Sequence, residues 1–287
     1  MALDFIIHLS SMREDLVLTD ELRDFLSEDY GTLDKSVYKN KLLDITYYKD
    51  KRLDIYYPDV KKDKYPVFLI VFGGGFVSGN KDLAYIDLML KPLKYGYACV
   101  VIDYTLAINE VFPRCLIDVK ESIDFIHISA DKYHLDDNNI TLWGESSGGY
   151  LGLGACLIDN SLIDLNLNTS VKNMIIYYPI VDIRVKFKNK ICNDLIYALL
   201  GDNNPYLNLA SPIDFINDKM PSLYLWHGTG DTLVDVSQSL MFIEKMENYP
   251  NVNFKYELLE NEEHCSDMFF KDDSINKIMN FVKGEEK

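Results

Sequence analysis

Positive charge is what this sequence has little of. Its 287 residues carry 29 Lys and Arg against 45 Asp and Glu, a formal net charge of −16. The densest basic segment is only Lys61-Lys62-Asp63-Lys64. A surface of that sign repels polyanions, so neither nucleic acid nor an anionic membrane is expected as a partner. Cysteine is also sparse: Cys99, Cys115, Cys156, Cys192 and Cys265 are odd in number, scattered, and form no C-x-x-C pair. That argues against a disulfide framework and suits reduced thiols in a cytoplasm. No apolar run reaches the roughly 18 residues of a membrane-spanning helix. The N-terminal MALDFIIHLSSMRED lacks a basic stretch ahead of its apolar residues, so no signal peptide is expected. No Cys/His cluster has ligand spacing, and neither metal nor organic cofactor is expected.

What is present is a patterned chain that is 48% apolar, enough for a sizeable core. Strand-like runs lie at Leu43 to Tyr48, Leu53 to Tyr57, Val67 to Phe72, Tyr97 to Asp103, Ile140 to Trp143, Met174 to Tyr178, Leu223 to His227 and Phe254 to Leu259. The first two alternate with polar residues, as in an antiparallel hairpin. Later ones such as VFLIVF are continuously apolar, as when both faces are buried in a parallel sheet. Helical patterns separate them at Leu83 to Tyr95, Pro113 to Ala130, Ser147 to Asn160, Val234 to Asn248 and Ser274 to Val282. The alternation predicts a three-layer α/β sandwich around a mostly parallel eight-stranded sheet, in a single domain spanning residues 1–287. Residues 1–35, with a capping-box-like Ser11-x-x-Glu14 and a helical pattern near Leu22 to Leu26, do not fit the alternation. Nor do residues 180–221, and both are expected to cap the sheet's edge.

Gly144-Glu145-Ser146-Ser147-Gly148 spells G-x-S-x-G between a buried strand and a helical pattern. In that context it makes a sharp strand-to-helix turn that strains the serine's backbone, and its glycines remove Cβ atoms that would collide. Ser146 then stands at a helix N-terminus, where the dipole favours developing negative charge. Phe72-Gly73-Gly74-Gly75-Phe76 follows the third strand, and three successive glycines let backbone N–H groups approach a substrate oxygen, as an oxyanion hole requires. Other motifs fail on inspection. Gly74 to Lys81 is a broken phosphate loop, Ser78-Gly79-Asn80-Lys81 lacks the partner motifs of penicillin-recognising enzymes, and Gly228-Thr229-Gly230 lacks the third glycine of a dinucleotide fingerprint.

A serine nucleophile needs a base. His8 falls in the N-terminal cap, His127 inside a helix, and His134 in a turn well before the elbow. His227 ends a strand ahead of Gly228-Thr229-Gly230-Asp231 and is assigned to the loop supporting the acid. His264, in a polar loop between the last strand and the last helix, is the candidate base. Asp231, at the same edge of the sheet, is the candidate acid that orients it, with Asp235 as runner-up. Ser146, Asp231 and His264 follow the chain order Ser, Asp, His.

At these residues the chain resembles the α/β-hydrolase superfamily, in the bacterial esterase/lipase branch related to hormone-sensitive lipase and to acetyl and feruloyl esterases. The resemblance covers roughly residues 40–285. It implies an α/β-hydrolase fold and an oxyanion hole formed by the N–H groups of Gly74, Gly75 and Ser147. Two positions depart from the branch's pattern: Phe72 stands where it has His, and Ser147 where it usually has Ala. The implied activity is hydrolysis of small acyl esters, including acetyl or feruloyl esters of carbohydrates, with a small-molecule ester as partner. An arylformamidase-like amide hydrolase and a catalytically silent binding protein are the alternatives. Phe76 and Tyr150 are expected to border the substrate, and self-association is left open.

Overall fold

The computed structural model describes residues 12–285. Eight strands, β1 (Lys41–Tyr48), β2 (Lys51–Tyr56), β3 (Tyr65–Val71), β4 (Ala98–Ile102), β5 (Leu135–Glu145), β6 (Asn173–Tyr177), β7 (Ser222–Gly228) and β8 (Phe254–Leu259), form one sheet in the order β1-β2-β4-β3-β5-β6-β7-β8. β1 pairs antiparallel with β2, and β2 antiparallel with β4. Every other neighbouring pair is parallel. The polar alternation of β1 fits its place at the edge, where much of it is exposed. β4, apolar throughout, and β6, apolar from Met174 onward, are buried along their whole length, as parallel strands covered on both faces must be. Truncating one such aliphatic, Leu69 on β3 for example, to alanine should cost about 2–5 kcal/mol.

The helices are α1 (Asp20–Ser27), α2 (Ile86–Met89), α3 (Arg114–Ser129), α4 (Ser147–Leu157), α5 (Lys190–Leu200), α6 (Ser237–Met246) and α7 (Asp272–Lys283). Consecutive strand residues point to opposite faces, and β5 displays the result. Leu142 packs against Gly152 of α4, while the Trp143 ring lies 6.2 Å from that of Phe270, just ahead of α7. Helices therefore cover both faces of the sheet.

Three helical expectations shift for local reasons. Leu83 to Tyr95 is not one helix but α2 followed by a 3-10 segment, Lys91–Tyr95. Pro92 lacks the N–H that would continue the helix, and Gly96, at φ 83°, ends the segment. The pattern from Val234 becomes helical only at Ser237, because the N–H groups of Leu233 and Val234 are committed to Asp231. α4 ends at Leu157, short of Asn160. Both stretches outside the alternation contain a capped helix. Thr19 accepts from Leu22 N at 3.2 Å to start α1, and Asn189 accepts from Ile191 N at 3.0 Å to start α5. The Ser11 capping box and His8 lie outside the described residues.

Candidate active site

β5 delivers Glu145 to the edge of the sheet and α4 begins two residues later, so Ser146 occupies the turn between them. Its φ of 52° and ψ of −121° are a sparsely populated conformation for a residue with a side chain, costing about 1–3 kcal/mol. The surroundings impose it. Ser146 N donates to Tyr177 O and Tyr150 N donates to Ser146 O, each at 3.0 Å. Gly148 lies so close to β3 that a Cβ there would stand 2.7 Å from the Val71 carbonyl carbon and collide with two backbone oxygens.

The structure brings Ser146, Asp231 and His264 together from three loops at one edge of the sheet. His264 Nε2 is 2.9 Å from Ser146 Oγ, across 118 residues of sequence. His264 Nδ1 is 2.6 Å from Asp231 Oδ2. The other carboxylate oxygen, Oδ1, accepts from Leu233 N at 2.9 Å and Val234 N at 2.8 Å, which fixes the plane of the acid. Burial pushes the Asp231 carboxyl up, but bonds from His227 and His264 outweigh it and hold it well below the usual carboxylate range. Burial opposes charge on the His264 ring as well. The bond to Asp231, aided by the neighbouring Cys265, more than offsets that and raises the ring's pKa above its ordinary value. The ring of Tyr178 lies 4.5 Å from that of His264 and limits its motion.

The other histidines take different places. His227 is fully buried, its Nδ1 2.6 Å from Ser239 Oγ and its Nε2 3.3 Å from Asp231 Oδ2, so it is a second partner of the acid. His127 bonds Ser170 O at 2.9 Å and His134 bonds Asp63 O at 3.2 Å, both away from the elbow. Asp235 pairs with Lys188 at 3.0 Å and accepts from Ser237 N, leaving the acid's position to Asp231.

The glycine loop follows β3. Gly74 and Gly75 have φ of 127° and 59°, conformations that side chains resist. Among the described residues, neither N–H is donated to another backbone group. Phe72 has its own seat. It is fully buried and stacked on Tyr104, with ring centroids 4.3 Å apart and planes 17° from parallel, and Tyr104 Oη donates to Phe72 O at 3.1 Å.

Two residues that the sequence reading did not single out complete the support. Glu145, buried beside Ser146, accepts from Gly73 N and from Tyr85 Oη, the latter at 2.7 Å; Gly73 N also donates to Tyr85 Oη at 2.8 Å. Burial pushes the Glu145 carboxyl above its ordinary range, against the pull of Tyr85, His264 and Gly73. The only sequence signal for Glu145 is an acid ending an apolar strand; Tyr85 has none.

Above these groups opens a cavity of about 730 Å³, reached by α1, the glycine loop, α5 and the loop carrying His264. Phe76 lines it. Tyr150 does not: it is buried behind Phe76, with ring centroids 5.1 Å apart, and donates to Ala210 O at 2.8 Å. An aromatic next to the elbow on a helix that faces the core is drawn inward, so Tyr150 buttresses Phe76 and stands away from the cavity. Glu21, Asp24, Glu28 and Asp267 are at the cavity's wall, and no Lys or Arg of the described residues lines it. Among the described residues no group of three His, Cys, Asp or Glu side chains could hold a metal ion.

The family model described as BD-FAE matches residues 53–246. The chain belongs to the BD-FAE family. This BD-FAE member is similar to Esterase LipC of Mycobacterium tuberculosis, 26% identical over 200 residues that cover 66% of this chain and 50% of LipC. It spans about half the length of the curated relatives it matches. A solved structure described as a truncated form of carbohydrate esterase from gut microbiota has a TM-score of 0.78 at 22% identity, covering 89% of this chain and 99% of that one. The bifunctional GH43-CE protein of Bacteroides eggerthii has a TM-score of 0.75 at 26% identity, covering 85% of this chain and 35% of that one. The fold of this BD-FAE member is the α/β-hydrolase fold.

Proposed function

We propose that the protein is a carboxylic-ester hydrolase that cleaves small acyl esters through an acyl-enzyme on Ser146, with acetyl or feruloyl esters of carbohydrates as the substrate class. The observation that carries this reading is the continuous relay from Ser146 Oγ through His264 to Asp231, at 2.9 and 2.6 Å, opening into the cavity. His264 Nε2 takes the hydroxyl proton as Oγ bonds to the ester carbonyl carbon, and Asp231 stabilises the resulting imidazolium. The N–H groups of Gly74, Gly75 and Ser147 hold the oxyanion; each such donor is worth about 3–4 kcal/mol in the transition state. His264 returns the proton to the leaving alcohol oxygen as the C–O bond breaks, and water repeats the sequence on the acyl-enzyme. Glu21 at the cavity wall is answered by Lys190, but no Lys or Arg of the described residues lines the cavity itself, and the remaining wall acids favour substrates without a carboxylate.

The names of the relatives, esterases and carbohydrate esterases, support the ester class. Free cysteines support a cytoplasmic setting, and among the described residues no helix is long and apolar enough to cross a membrane. A panel of p-nitrophenyl and acetylated or feruloylated sugar esters, run beside Ser146→Ala and Ser147→Ala, tests the reading. Ser146→Ala should lower kcat by roughly 10⁴-fold or more and abolish fluorophosphonate labelling. Ser147→Ala should keep most activity, because only its backbone N–H is used. Turnover that survives in Ser146→Ala refutes the assignment.

A further inference from the structure

We propose that Leu195 on α5, assisted by Phe25 on α1, sets the upper limit on acyl-chain length; the proposal rests on the ester-hydrolase reading. Both residues line the cavity. The position a Cβ would occupy on Gly75 is 2.8 and 2.9 Å from the two methyl groups of Leu195 and 3.1 Å from Phe25 Cζ. Both side chains therefore rest directly against the backbone of a residue whose N–H is assigned to the oxyanion. Since His264 must hand its proton to the leaving oxygen, the alcohol lies on the His264 side of the scissile bond. The acyl group takes the remaining direction, toward the wall over Gly75.

The wall is held from several sides. Leu195 is buried on α5, and Leu199 O at the end of that helix accepts from Phe112 N at 2.8 Å. α1 is tied to α5 by Thr19 Oγ1 donating to Asp194 Oδ2 at 2.7 Å and by the Lys190 and Glu21 ion pair. Phe25 is only half-buried. Leu195 is thus the firm part of the stop and Phe25 the yielding part. Both come from the two stretches that do not fit the strand and helix alternation, so these insertions shape the site.

The test compares kcat/KM for p-nitrophenyl acetate, butyrate, hexanoate and octanoate, and for acetates of several alcohols, in the unaltered protein, Leu195→Ala and Phe25→Ala. The ratio of hexanoate to acetate cancels any loss of folded enzyme. Leu195→Ala should raise it by about tenfold or more, since each newly accommodated methylene is worth about fourfold, the equivalent of ~0.8 kcal/mol. Phe25→Ala, on a half-exposed helix that tolerates truncation, should raise it by a smaller factor in the same direction. Hydrolysis by the unaltered protein with a ratio unmoved in both variants overturns the proposal alone. So does a change confined to the alcohol series. No hydrolysis of any ester by the unaltered protein overturns the ester reading and this proposal with it.

Discussion

Tyr85→Phe isolates the support under the glycine loop, because it removes one oxygen and leaves the ring. That oxygen donates to Glu145 at 2.7 Å and accepts from Gly73 N at 2.8 Å in a buried setting. A hydrogen bond to a charged group contributes about 1.5–3 kcal/mol. A chain of this size loses about 2–4 °C of Tm per kcal/mol, so the expected drop is roughly 3–12 °C. Gly73 keeps its bond to Glu145, so the loop should loosen without detaching. Imperfect placement of Gly74 and Gly75 weakens bonds made only in the transition state, and kcat should fall by roughly 10- to 100-fold with little change in KM. The pH dependence has a definite sign. A carboxyl whose pKa is raised by folding stabilises the native state below its unfolded pKa, and that contribution is lost as pH rises through the folded value. Without Tyr85, burial pushes Glu145 higher still, so the stability deficit should be larger in alkaline than in mildly acidic buffer. Thermal unfolding and steady-state hydrolysis of p-nitrophenyl acetate across pH measure all three effects. A Tm drop under about 1 °C together with unchanged kcat would refute the idea that this network seats the loop.

Two further outcomes test the catalytic relay and the elbow. In the pH profile of kcat/KM, the rising limb should lie above the ordinary histidine value of about 6.5, because Asp231 raises His264. Asp231→Asn should move that limb down and lower kcat by about 10⁴-fold; an unmoved limb removes Asp231 from the relay. The same pairing has an effect on stability. His264's contribution is fully present below about 6.5 and fades as pH rises through its folded value, whereas Asp231's fades only as pH falls through its depressed one. Gly148→Ala should cost about 1–3 kcal/mol and most fluorophosphonate labelling, since the obstructing atoms are backbone oxygens that cannot rotate aside. Normal Tm and labelling in that variant would show that the elbow does not pack on β3 as described.

Much of this protein is written locally. Continuous apolar runs specify buried strands, G-x-S-x-G needs only five consecutive residues to make its turn, and Phe72 to Phe76 loses its Cβ atoms in place. The order of Ser146, Asp231 and His264 along strand ends was likewise legible, because each follows an element with a clear period. Pro92, which ends helical continuity between Leu83 and Tyr95, is an equally local signal. What neighbours far along the chain decide could not be read. Tyr150 turned inward because Phe76 and Ala210 O received it. Phe72 is accommodated because Tyr104, from beyond β4, offers a flat ring, and Glu145 reaches the glycine loop only because β3 and β5 are adjacent in the sheet. The wall of Leu195 and Phe25 joins segments about 170 residues apart whose patterns matched no strand and helix unit. Sequence by itself determined the fold class and the candidate reactive groups, since periodicity and turn chemistry act within a few residues. Tertiary structure decided what holds those groups in register and how large a substrate they can meet, since packing is a property of surfaces that meet only after the chain has folded.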